Sequence, residues 1–237
     1  MLGECKNQKK LHATLEKWRN LGEGKILVHT LSEEYLRSSE LAEKKAEEVF
    51  SSWDVISCSL INVDKLSKKA DDLDLRPWEH TRLNTGLFFE IGLILSVPPQ
   101  NILGTHAHDV WFPNHAGTKN GHTSALTDAI FSGKGKRGGE KFWPAAKGHS
   151  YNRILTPKEI LSRSDSSQHN EILVIGRKGV NIYPGYSVTG RVRVTGIICA
   201  SKSRTGHGLF SSLQDRENKV KIAKLKNVNG KLDVIYI

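Results

Sequence analysis

The sequence predicts an α+β fold, on three observations. Apolar residues at helical spacing are concentrated in the first 50 positions, and β-rich apolar segments dominate after position 170. The last two of these segments are joined through Asn229-Gly230, a tight-turn pair. With 237 residues, 38% hydrophobic and 25% charged, the chain can bury a core as one large domain or two small ones. No internal repeat punctuates it, and the composition excludes a disordered chain, a collagen or a coiled-coil rod. The longest apolar run, Leu87 to Val97, is interrupted by Glu90 and stopped by Pro98-Pro99, short of the roughly 18 residues of a membrane span.

The elements follow in order. Residues 7–24 are polar with a weak helical stripe (Leu11, Leu15, Trp18), which predicts a short peripheral helix; residues 1–24 read as a helical extension to a main domain over 25–237. Lys25 to His29 reads as a first strand. Helical spacing returns over 33–50, where Tyr35/Leu36, Ala42, Ala46 and Val49/Phe50 share a face. Val55 to Val63 reads as a second strand, and a charged stretch, Lys65 to Glu79, separates it from the apolar run at 87–95. The tract 98–150 is rich in Gly, His, Asn and Pro, with two short strands expected at Ile102–Phe112 and Ala129–Ser132. A tract of this length is more often functional than idle. Thr156-Pro157-Lys158-Glu159 combines an N-cap, a Pro at the first helical position and a Glu able to reach back to the cap, so a helix starts there. A polar loop, Ser162 to Asn170, leads into Glu171–Ile175, and strands are expected at Arg191–Ala200, Lys219–Leu225 and Leu232–Ile237.

Charge is unevenly divided. The net charge of +10 splits into −3 over residues 1–118 and +13 over residues 119–237, which suits a polyanionic partner such as a nucleotide, nucleic acid or an acidic protein face. The five Trp are dispersed, with no interleaved aromatics for base stacking, which argues against nucleic acid, although a non-enzymatic nucleic-acid-binding module driven by the +13 half stands as an alternative reading. Three cysteines without paired spacing (Cys5, Cys58, Cys199) point to a reducing compartment, and the first ten residues lack the layout of a secretory signal.

Two constellations can carry chemistry. In the first, Gln168-His169-Asn170-Glu171 opens an apolar strand, and a carboxylate beside a core needs a partner or a task; the ordinary alternative is a strand-end Glu facing solvent. In the second, His106-x-His108-Asp109 projects alternate residues to one face of a strand-like segment, a pattern that suits Zn and its neighbours and suggests a metal-dependent hydrolase or nuclease. Its spacing matches no hydrolase signature and it has no Cys partner. The glycine-rich, basic Ser132–Gly139 lacks phosphate-loop spacing and reads as a solvated or phosphate-contacting loop.

A loop running through x-x-Glu-Ile-Leu-Val at a strand mouth resembles the catalytic segment of the ADP-ribosyltransferase toxins and effectors. Lys25-Ile-Leu-Val-His29-Thr30 is similar to that family's first core strand, which ends in Arg or His. Gly86-Leu87-Phe88-Phe89 is similar to the Gly-Ile-Tyr-Phe segment of its His-Tyr-Glu branch, with Phe in place of Tyr. The resemblance implies a split β-sheet core around an NAD cleft, with peripheral N-terminal helices. It implies catalytic roles for Glu171, His29 and Phe88, and NAD contacts from His29, Thr30, Leu31, Phe88, Phe89 and Ser132. Gln168 and His169 would meet the substrate; His169 stands where many protein-modifying members carry Gln or Glu, which leaves the acceptor residue open. The implied activity is transfer of ADP-ribose from NAD to a host protein by a monomeric bacterial effector, secreted without a cleavable signal and acting in host cytoplasm. The stretch 98–112 looks similar to groups that modify a threonine of ubiquitin or, by ADP-riboxanation, caspase arginines; the ankyrin repeats usual in the second group are absent from this sequence, which favours ubiquitin or another small protein.

Overall fold

Strand-forming segments from both halves of the chain converge on one sheet. In the computed structural model the described residues are 2–31, 33–53, 55–62, 91–107, 136–137, 140–141, 154–164, 170–179, 181–183, 186–188, 190–200, 217, 220–228 and 231–236. The strands are β1 (Lys25–Leu31), β2 (Ile56–Asn62), β3 (Ile91–Ser96), β4 (Ile102–His106), β5 (Lys136–Arg137), β6 (Glu140–Lys141), β7 (Glu171–Val174), β8 (Asn181–Tyr183), β9 (Tyr186–Ser187), β10 (Arg193–Ala200), β11 (Lys221–Val228) and β12 (Lys231–Tyr236). Eight form a sheet in the order β12-β11-β10-β3-β1-β2-β7-β4, antiparallel except for β10 with β11; β5-β6 and β8-β9 are separate two-stranded ribbons. With its helices the chain is α+β.

The sheet is not a uniform ladder. β1 pairs with β2 only over Lys25–Val28 and with β3 only over Val28–Leu31. β2 in turn pairs with β1 through Ser59–Asn62 and with β7 through Ile56–Cys58. Each of these two strands therefore changes partner halfway along its length.

One face is packed. Leu27 and Leu31 of β1, Ile56, Cys58 and Leu60 of β2, and Ile91, Leu93 and Leu95 of β3 follow the two-residue period of a strand into a single core. The first helix, α1 (Leu2–Glu16), starts earlier than the sequence stripe suggests, and its Leu11 and Leu15, with Trp18 just beyond, pack into that same core. The helical pattern over 33–50 resolves into three short pieces: α2 (Glu33–Ser38), a 3-10 turn (Glu40–Ala42) and α3 (Ala46–Phe50). Extended backbone at Ser39 and Lys45 divides them, although Leu36, Leu41, Ala46, Val49 and Phe50 all reach the core. Helix α4 (Pro157–Arg163) has the expected capping box, with Thr156 and Glu159 bonded reciprocally. The Thr156 backbone N–H, followed by its hydroxyl, holds the Glu159 carboxyl below its ordinary range. The small ribbon β5-β6 lies in the tract 98–150, where no strand is expected at those positions, and β8-β9 lies between the expected strands at 171–175 and 191–200. The strand expected at Ile102–Phe112 is realised as β4 over its first five residues. Positions 108–112 of that stretch lie outside the described residues, as does the strand expected at Ala129–Ser132.

Candidate functional site

Glu171 is the first residue of β7, which runs between β2 and β4. Its position is set by its neighbour. Asn170, 2% exposed, accepts from the Leu60 N–H through Oδ1 and donates to the Leu60 carbonyl through Nδ2, both at 2.8 Å. One side-chain amide thus takes both backbone groups of Leu60 that a further β2–β7 rung would use, and the mouth of β7 is fixed. Glu171 is 1% exposed, and the Ser57 hydroxyl on β2 donates to its Oε1. His106, the last residue of β4 and also buried, is its direct cross-strand partner. The register places Ser57, Ser59, Glu171 and His106 on one side of the sheet.

His29 comes to the same place from the other side. Since Val28 lies opposite Ser59, His29 is directed to the Cys58 side of the sheet. Its ring meets Phe50 and Trp53 edge-on, at centroid distances of 5.4 and 5.7 Å. Nδ1 lies 2.8 Å from the Ser57 carbonyl, which can only accept, so Nδ1 carries the proton and Nε2 presents a bare lone pair. Among the described residues the buried Nε2 has no hydrogen-bond partner, nor has the Trp53 indole N–H. Burial pulls the His29 pKa below its ordinary value, against the smaller opposing effect of the Ser57 carbonyl, and the ring is held neutral. Cys58, between the two serines, is buried; desolvation first, then the nearby Glu171 charge, raises its thiol well above the ordinary range, so it is not a nucleophile in this state.

Ser57 is therefore the joint of the site: its carbonyl takes His29 and its hydroxyl takes Glu171. Of the residues singled out from sequence, Glu171 and His29 are brought together through Ser57 from opposite sides of the sheet. Thr30 is half-buried and Leu31 buried on the strand that carries His29. Phe88, Phe89, Ser132, Gln168 and His169 lie outside the described residues, as do His108 and Asp109 of the second constellation. Among the described residues no group of three or more His, Cys, Asp or Glu side chains is placed to hold a metal ion. Ser57, Asn170 and Trp53 belong to the site without having been singled out. A signal existed for two of them: paired hydroxyls at Ser57 and Ser59 in an apolar strand, and an amide immediately before an apolar run.

Chemically, the site offers a carboxylate that is removed from water and oriented by a hydroxyl donor, where charge–charge effects are strong. No helix among the described residues is long and apolar enough to cross a membrane. No family model, curated protein or solved structure matches the chain.

Proposed function

We propose that the chain is an NAD-dependent mono-ADP-ribosyltransferase acting on a protein, with an ADP-ribosyltransferase-like split sheet as its core. The observation that carries the reading is the buried Glu171 carboxylate at the mouth of β7, held by the Ser57 hydroxyl at the point where β2 changes partner. In the reaction the bond between ribose C1′ and the nicotinamide nitrogen breaks, and nicotinamide leaves with the electron pair. A nucleophilic side chain of the acceptor then bonds C1′ and gives up its proton. The ribose carries oxocarbenium charge at the transition state, as in glycoside hydrolysis. A carboxylate preset beside that charge stabilises the transition state more than the ground state. Ser57 orients Glu171, and His29, neutral and bonded to the Ser57 carbonyl, holds the backbone that carries the hydroxyl. An aromatic stack from Phe88 or Phe89 on nicotinamide and contacts from Thr30 and Ser132 would complete the proposed NAD site, Leu31 lying in the packed core instead, and recognition of the acceptor is assigned to Gln168 and His169. The +13 half of the chain supplies counter-charge for the pyrophosphate and a docking face for the acceptor, of which ubiquitin is one candidate.

The test is incubation with labelled NAD and a cell lysate. A labelled protein band is expected with the wild type and none with Glu171→Ala. No label from any lysate overturns the reading. Bound metal together with metal-dependent hydrolysis would favour the reading built on His106, His108 and Asp109 instead.

A further inference from the structure

A second opening in the sheet lies at the other half of β1. Below Val28 and Ile94 the β1–β3 ladder stops. Lys25–Leu27 stay with β2, whereas Leu95 and Ser96 stay with β10, so the two strands part like a fork. The sequence gives physical reasons for the parting. Gly22 and Gly24 turn the chain into β1 with φ of 79° and 66°, a region that favours glycine. Pro98-Pro99 ends β3 without two ladder donors. On β10 the register slips between Val194 and Gly196, a bulge at Thr195 that increases the local twist.

The fork encloses a cleft of about 500 Å³, within the range of small-molecule sites. Its floor is apolar: Trp18, Leu27, Leu95 and Ile102 are buried, and the Trp18 indole is anchored by donating to the Leu155 carbonyl at 3.0 Å. Its rim is a set of donors. Lys25 has no ion pair among the described residues, and no carboxylate among them lines the cleft. Asn20 spends Oδ1 on the Gly22 N–H and retains its NH₂ group, and Ser96 is exposed beside it on the rim. Arg19, also on the rim, is bonded twice to Glu16 and so brings its charge already matched.

We propose that this fork is a binding site for a small amphipathic anion, a flat apolar body carrying one phosphate or carboxylate, with Lys25 as its counter-charge. The apolar body takes the floor and the anion meets Lys25 and the Asn20 amide at the rim. The site does not depend on Glu171, and its occupancy stands or falls separately from transferase activity.

The experiment is ligand-observed saturation-transfer NMR on the full chain with phenyl phosphate, benzoate, phenol and inorganic phosphate as probes at millimolar concentration. Phenyl phosphate or benzoate should bind more tightly than phenol and than phosphate, and which of the two binds better names the anion. Lys25→Ala should weaken that binding about tenfold or more, the worth of a hydrogen bond to a charged group. Lys25→Arg should restore it, and Ser96→Phe should block it with Lys25 intact. Melting curves for each variant report folding independently. No transfer from either amphipathic probe, or transfer that Lys25→Ala leaves unchanged in a folded protein, overturns the proposal.

Discussion

Removing the Ser57 hydroxyl tests whether it holds a buried charge. Glu171 is 1% exposed, so in Ser57→Ala its Oε1 loses a donor that water cannot readily replace. A hydrogen bond to a charged group contributes about 1.5–3 kcal/mol, and each kcal/mol moves the midpoint of a chain of this size by about 2–4 °C. Ser57→Ala should therefore lower the melting temperature by about 3–12 °C at neutral pH. The same loss carried into the transition state lowers nicotinamide release by about 10- to 100-fold. Glu171→Gln replaces the charge with a neutral amide, for which the same hydroxyl is worth about 1 kcal/mol. A double-mutant cycle of Ser57→Ala with Glu171→Gln, followed by urea unfolding, should thus show a coupling of about 0.5–2 kcal/mol. Ser57→Thr, which keeps a hydroxyl, should recover most of the stability. Additive effects with no coupling, or a Ser57→Thr variant as unstable as Ser57→Ala, would refute the reasoning.

Two further outcomes are expected. His29 has its pKa lowered in the folded chain, so the unfolded state binds the extra proton first: stability is full above the unfolded value of about 6.5 and falls as pH drops below it, levelling off only below the folded pKa. The slope from this one group is at most about 1.4 kcal/mol per pH unit, and urea midpoints of His29→Asn should lose that component of the pH dependence while keeping the rest. Gly176→Ala should be severely destabilising, because its Cβ would stand 1.9 Å from the Phe50 carbonyl oxygen, so the backbone carrying Phe50 and Trp53 must move; an unchanged melting temperature would contradict that close approach.

The sequence made the architecture legible where local patterns decide structure. The capping residues at 156–159 fixed the start of α4, and the apolar alternation of Ile91, Leu93 and Leu95 marks a strand buried on one face. Glu171 stood out for the same reason, as a carboxylate opening an apolar run. Less legible were the features set by partners distant in sequence. The divided helices at 33–50 follow a single amphipathic stripe, and only the breaks at Ser39 and Lys45 separate a long helix from three short ones. Ser57 looks like any polar residue in a strand until Glu171, 114 positions away, is placed against it. The side of the sheet taken by His29 depends on register, which the pattern Ile26-Leu27-Val28 leaves undetermined because it is apolar on both faces.

The exchange of partners by β2 and the assembly of the site are one event. β2 pairs with β1 only from Ser59 onward, which leaves the Ser57 carbonyl without a β1 rung, and the His29 imidazole takes it. β2 stops pairing with β7 after Cys58, which leaves both backbone groups of Leu60 without a β7 rung, and the Asn170 amide takes them. In each case a side chain stands where a backbone group would have stood. The Ser57 carbonyl and both backbone groups of Leu60 stay satisfied although the ladders stop there. A continuous sheet would have closed both gaps with rungs from its own backbone, and Ser57 would have been an ordinary strand residue. Because the gaps are bridged by side chains, Ser57 is gripped by His29 through its carbonyl and left free to aim its hydroxyl at Glu171. The exchange of partners along β2 is therefore what lets a carboxylate be both buried and oriented at this point in the fold.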